Sequence, residues 1–108
     1  MTLKLTQNNP YKYTIDVEHL FLFLRDDIID ATNVHVDKNT LILRLNTNKD
    51  ATYSLYGQVL RRRIENQGHE IYIRNIQSLH FEKIDDIIHV ELITINGEHY
   101  EKELQLYE

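Results

Sequence analysis

The chain has no cysteine and no tryptophan, and only one proline and three glycines among 108 residues. Without thiols it forms no disulfide, no thiolate metal site and no cysteine nucleophile, and this absence fits a reducing compartment. The glycines, Gly57, Gly68 and Gly97, are too far apart to build a phosphate-cradling loop. Serine is also scarce, and neither Ser54 nor Ser78 sits in a Gly-x-Ser-x-Gly elbow. No apolar run reaches the roughly eighteen residues of a membrane span. The opening "MTLKLTQNNPYKYT" lacks the apolar centre of a secretory signal. These absences point to a cytoplasmic protein that is neither an enzyme nor a cofactor carrier.

What is present is ordinary for a globular chain: 42% hydrophobic and 27% charged residues. The length suits a single domain over 1–108. The net charge of −5 disfavours non-specific nucleic-acid binding. Ile, Asn, Lys and Tyr are plentiful while Ala, Gly and Pro are scarce, as in the AT-rich genomes of low-GC bacteria and their phages.

Patterning along the chain predicts an α+β domain. Leu3 and Leu5 mark a short edge strand over 2–6, and Tyr11, Tyr13 and Ile15 alternate as a second strand. In "DVEHLFLFLRDDIIDA", Val17, Leu20, Phe21, Leu24 and Ile28 share one helical face, with Asp16 at its start. "NVHVDKNTLILRL" reads as a hairpin turning at Asp37–Thr40. "TNKDATYSLYGQVLRRRIENQG" reads as a second helix, capped by Asn48 or Asp50 and ended by Gly68. Three strands follow as a meander with turns at Asp85-Asp86 and Asn96-Gly97. In the last hairpin, a three-residue turn with Tyr100 opposite Leu92 and Leu104 opposite Ile88 matches the apolar faces best. The resulting order, β-α-β-β-α-β-β-β, is a split β-α-β (ferredoxin-like) core plus a C-terminal hairpin, with an antiparallel sheet and two helices. The alternative is two sheets, the C-terminal meander forming its own layer.

Three groups of residues invite a functional reading. "LRRRIENQG" places three consecutive arginines in an acidic chain. At the end of a helix they favour its dipole and point in different directions. A nucleic-acid grip would need Arg44, Arg61, Arg62 and Arg74 to converge, and "TLILRLN" offers no aromatic residue on which a base could stack. Second, the expected two-residue turn at Asp85-Asp86 sets Glu82 opposite His89 and His80 opposite Glu91. His80 and His89 are therefore weak metal candidates on a face more simply read as salt-bridged and exposed, and no metal is expected. Third, Leu22, Phe23 and Ile29 lie off the main apolar stripe of the first helix, as an anchor for a partner or a second copy would. Glu98, Glu101 and Glu103 would present negative charge to a basic partner and speed association.

The leading expectation is a small protein-binding module: an inhibitor, immunity or accessory protein whose partner is another protein or a second copy of itself. A structural subunit of a larger assembly has the same sequence features. Nucleic-acid binding through the four arginines is the alternative.

Overall fold

The computed structural model describes residues 14–106. One helix, α1 (Thr14–Asp30), leads directly into eight strands. These are β1 (Ala31–Asp37), β2 (Thr40–Leu45), β3 (Asp50–Tyr56), β4 (Val59–Ile64), β5 (Gln67–Ile73), β6 (Ile76–Ile84), β7 (Ile87–Thr94) and β8 (His99–Gln105). All pairings are antiparallel and join chain neighbours, giving a five-stranded sheet β1-β2-β3-β4-β5 and a three-stranded sheet β6-β7-β8.

This overturns the expected two-helix order. The described residues are mostly strand, about 62%, with one helix. The segment expected as the second helix is the β3–β4 hairpin. Its outer ends pair Ala51 with Ile64 and its inner end pairs Tyr56 with Val59. Gly57, with φ +62°, opens the turn between the strands, and a positive φ at that position suits a tight hairpin. Gly68 does not end a helix; it lies in β5. Residues 14–16, expected to finish a strand, are the first turn of α1, where the Asp16 carboxylate favours the helix dipole. The rest of that expected strand, and the one over 2–6, lie outside the described residues.

The β1–β2 hairpin and the turns of the last meander are as expected, but the expected single sheet is two, and the segment expected as the meander's first strand is divided at Arg74-Asn75 into β5 and β6, one in each sheet. The β1–β2 hairpin turns at Lys38-Asn39, both at positive φ (48° and 62°), and sets Val34 and Val36 opposite Leu43 and Leu41. The C-terminal meander forms its own sheet. It has the two-residue Asp85-Asp86 turn, and it pairs Tyr100 with Leu92 and Leu104 with Ile88.

A continuous apolar core joins α1 to both sheets. The helix contributes Val17, Leu20, Leu24 and Ile28. The larger sheet adds Leu41, Leu43, Ala51, Tyr53 and Leu60, and the smaller adds Phe81, Ile88, Val90 and Leu92. α1 packs on β1, β2 and β5 and reaches β8. The sheets are tethered through the β1–β2 turn. The Asn39 side-chain amide donates to the Leu79 carbonyl, and its Oδ1 accepts from the Phe81 backbone N–H at 2.9 Å. The side chain thus pairs with β6 as a short length of strand would.

Candidate functional site

The three arginines all lie within β4, so they alternate between faces instead of fanning around a helix. Arg62 points inward. Its Nε donates to Asp27 Oδ2 at 2.7 Å and its Nη2 to Asp27 Oδ1 at 3.2 Å, while Nη1 reaches Glu70 at 3.1 Å. Tyr53, across the strand pair from Arg62, donates its hydroxyl to the same Asp27 Oδ2 at 2.6 Å. Burial alone would lower the Arg62 guanidinium pKa, but the hydrogen bond and charge of Asp27 outweigh it and raise it. Burial, reinforced by the hydrogen bond to Asp27, pushes the Tyr53 hydroxyl well above its ordinary value. This part-buried bidentate pair fixes the helix against the sheet.

Arg61 and Arg63 point to the opposite face of the larger sheet. The Arg61 guanidinium lies 4.0 Å from the centre of the Tyr56 ring and its Nη1 is 3.2 Å from His69 Nδ1, while Arg63 donates to the Asn66 carbonyl. Arg44, on the same face, is held by Asp50 at 2.6 Å, and Arg74 lies past the end of β5. Arg44, Arg61, Arg62 and Arg74 therefore do not form one patch, and the convergence that nucleic-acid binding requires is not met.

The expected anchor residues behave differently. Along α1, Ile15, Leu22 and Ile29 are 64%, 47% and 59% exposed. They stand seven residues apart, so they form one row along the helix. Phe23 is to one side. It is half-exposed, yet one ring face stacks on Tyr72 with centroids 5.0 Å apart and planes at 8°. Leu22 also lines a groove of about 360 Å³ between α1 and β8, with Glu18, Phe21, Arg25, Lys102 and Leu104.

Glu101 and Glu103 are on the outer face of β8, away from α1. Glu98 lies before that strand, where its backbone N–H and one carboxylate oxygen both meet Thr94 Oγ1 at 3.1 Å. The acidic set and the apolar row are thus on different surfaces. His80 and His89 face Glu91 and Glu82 as the turn geometry predicts. The side chains that meet, however, are on β7 and β8: His89 Nε2 lies 3.2 Å from Glu101 Oε1, and His99 Nε2 lies 2.8 Å from Glu91 Oε2. The contact with His99 holds the Glu91 carboxyl below its usual pKa, against a smaller effect of burial. Asp27, Tyr72 and His99 do not stand out in the sequence. Asp27 and Tyr72 depend on helix-to-sheet contacts without a local signal, whereas His99 follows from the last hairpin's register.

Among the described residues no helix is long and apolar enough to cross a membrane. A comparison with curated proteins gives no match. Residues 4–100 match the model of the family described as "Putative Competence protein ComGF". Such proteins are pseudopilin-like and typically belong to a membrane-associated or extracellular assembly, which overturns the expected cytoplasmic placement. A bacterial accessory protein of competence is the role this match fits, and nothing in it supports an inhibitor, an immunity protein or a nucleic-acid binder. With nearly its whole length matched, the chain belongs to the ComGF family of bacterial competence proteins.

Proposed function

We propose that the chain is a non-enzymatic subunit of a competence-associated assembly and works through protein–protein contact made by the outward side of α1. The observation that carries this reading is the apolar row Ile15, Leu22 and Ile29, left exposed along a helix whose opposite face is fully buried. Exposed apolar rows flanked by polar residues mark contact sites, and seven-residue spacing suits a second helix lying alongside. Phe23 extends the anchor, its ring held in place by Tyr72. Glu98, Glu101 and Glu103 supply negative charge on a separate surface, suited to a basic neighbour at a second contact.

The test is site-specific photo-crosslinking in competent host cells. A photo-reactive residue at Leu22 or Ile29 is expected to give discrete adducts with another protein or with a second copy of the chain. The same residue at Thr52, on the outer face of the larger sheet, is expected to give none. Equal labelling from all three positions, or none from α1, would overturn the reading.

A further inference from the structure

The outer face of the smaller sheet has a feature that partner binding through α1 does not use. Along β7, Ile88, Val90 and Leu92 are buried, which turns His89 and Glu91 outward; along β8, Leu104 is buried and His99 and Glu101 point the other way. The register sets Glu91 directly opposite Glu101, and His89 opposite Glu103. Side chains directly opposite across an antiparallel pair have Cβ atoms about 5 Å apart, and like charges so placed repel. Two carboxylates therefore face each other, and each is met by an imidazole, Glu91 by His99 and Glu101 by His89. One donor atom from each of His89, Glu91 and Glu101 lies within 4.8 Å of the other two.

A doubly charged cation held by both carboxylates would offset their charge more fully than hydrogen bonds from two imidazoles do. The donor set also restricts which cation fits. Calcium and magnesium take oxygen ligands, while imidazole nitrogen combined with carboxylate oxygen suits zinc and its neighbours in the first transition row. Zinc lies about 2.0–2.2 Å from such donors, which brings them to roughly 3.3 Å from one another in a tetrahedron. These side chains are part-exposed, so small changes at their ends close that gap without moving the strands.

We propose that His89, Glu91, His99 and Glu101 form a zinc-class metal site that clips the edge strand β8 to β7. His89, Glu91 and Glu101 are the core ligands, and His99 fills the fourth position in place of water. His80 and Glu82, on the neighbouring strand β6, are not ligands.

The experiment uses the full chain, stripped with chelator and titrated with zinc chloride alone by calorimetry, with thermal melting in parallel. One equivalent is expected to bind, and zinc is expected to raise the melting temperature. His89→Ala and Glu101→Gln should each weaken binding by about tenfold or more and abolish the melting shift. His89 is part-buried and Glu101 exposed, so the metal-free melting curves of both variants report whether the fold is kept, and His99→Asn, at an exposed position, gives a milder third variant. His80→Asn and Glu82→Gln should bind as the native chain does. Calcium chloride at the same concentrations should give no heat. Absence of zinc binding, equal binding by the His89→Ala, Glu101→Gln and native chains, or preference for calcium would each overturn the proposal.

Discussion

Asp27 illustrates how much one side chain can hold. Its carboxylate is 18% exposed and accepts from both Arg62 and Tyr53, while the adjacent Asp26 is 70% exposed and 4.0 Å from Arg25. Removing the Asp27 carboxylate leaves the part-buried Arg62 guanidinium with Glu70 alone and the buried Tyr53 hydroxyl without its acceptor. Asp27→Ala is therefore expected to cost about 2–3 kcal/mol, between the values for exposed and fully buried pairs. In a chain this size that lowers the melting temperature by roughly 10 °C or more. Asp26→Ala should cost less than about 0.5 kcal/mol. Thermal melts of the two variants decide the matter, and equal losses would mean that the junction does not hold the helix. Tyr53 adds a pH signature. Burial and the bond to Asp27 raise its pKa in the folded chain, so the folded state binds that proton more tightly than the unfolded one. Its contribution is complete below the unfolded value of about 10 and declines as pH rises above it. Tyr53→Phe should flatten the fall in melting temperature above about pH 10, a change readable in melts on either side of that point.

α1 separates its two roles by face. Leu24 is fully buried and Leu22 is about half exposed, two positions away on the same helix. Leu24→Asp should unfold the protein, because an unpaired charge in the core is too costly to keep. Leu22→Asp should melt within about 0.5 kcal/mol of the native chain while losing its crosslinks. A large loss of stability in Leu22→Asp, measured by denaturant melts, would reassign that face to the core. The same contrast explains which elements the sequence revealed. The helix, the β1–β2 hairpin and the turns of the β6–β7–β8 meander were legible because their apolar spacing and turn residues agree, whereas the break at Arg74-Asn75 that separates β5 from β6 was not. The β3–β4 hairpin was not. Its inward positions run Leu60, Arg62, Ile64, and a charged residue at the middle of an inward row breaks the two-residue alternation. Arg62 can face inward because Asp27 meets it from α1, a contact set by the fold and absent from local pattern. With the alternation masked, Leu55, Tyr56, Val59 and Leu60 fit a helical face, and Gly57 counted against a helix too weakly to redirect the reading. The apolar row of the candidate site was legible only in part: Leu22 and Ile29 stand out from the helical stripe, but Ile15 was absorbed into an expected strand.

The two sheets depend on few direct links, so the Asn39 tether matters beyond its size. Asn39→Ala removes a side chain that satisfies the Leu79 carbonyl and the Phe81 N–H together. The expected cost is about 1–2 kcal/mol. Hydrogen exchange at the Phe81 amide should accelerate, while that at Leu43, in the centre of the larger sheet, should change only with overall stability. Uniform acceleration at both amides would show that the sheets open together and that the side chain does not act as a local link.

Within each sheet, every strand pairs only with its neighbours in the chain. The loops that must close are therefore short, and the entropy lost before the first native contacts form is small. Chains dominated by such near-neighbour contacts fold faster than sandwiches whose strands must find distant partners. A β-rich protein built in this way can recover its structure hairpin by hairpin after being unfolded. Refolding from denaturant should accordingly be rapid, which would shorten the time its sheet edges are open to aggregation.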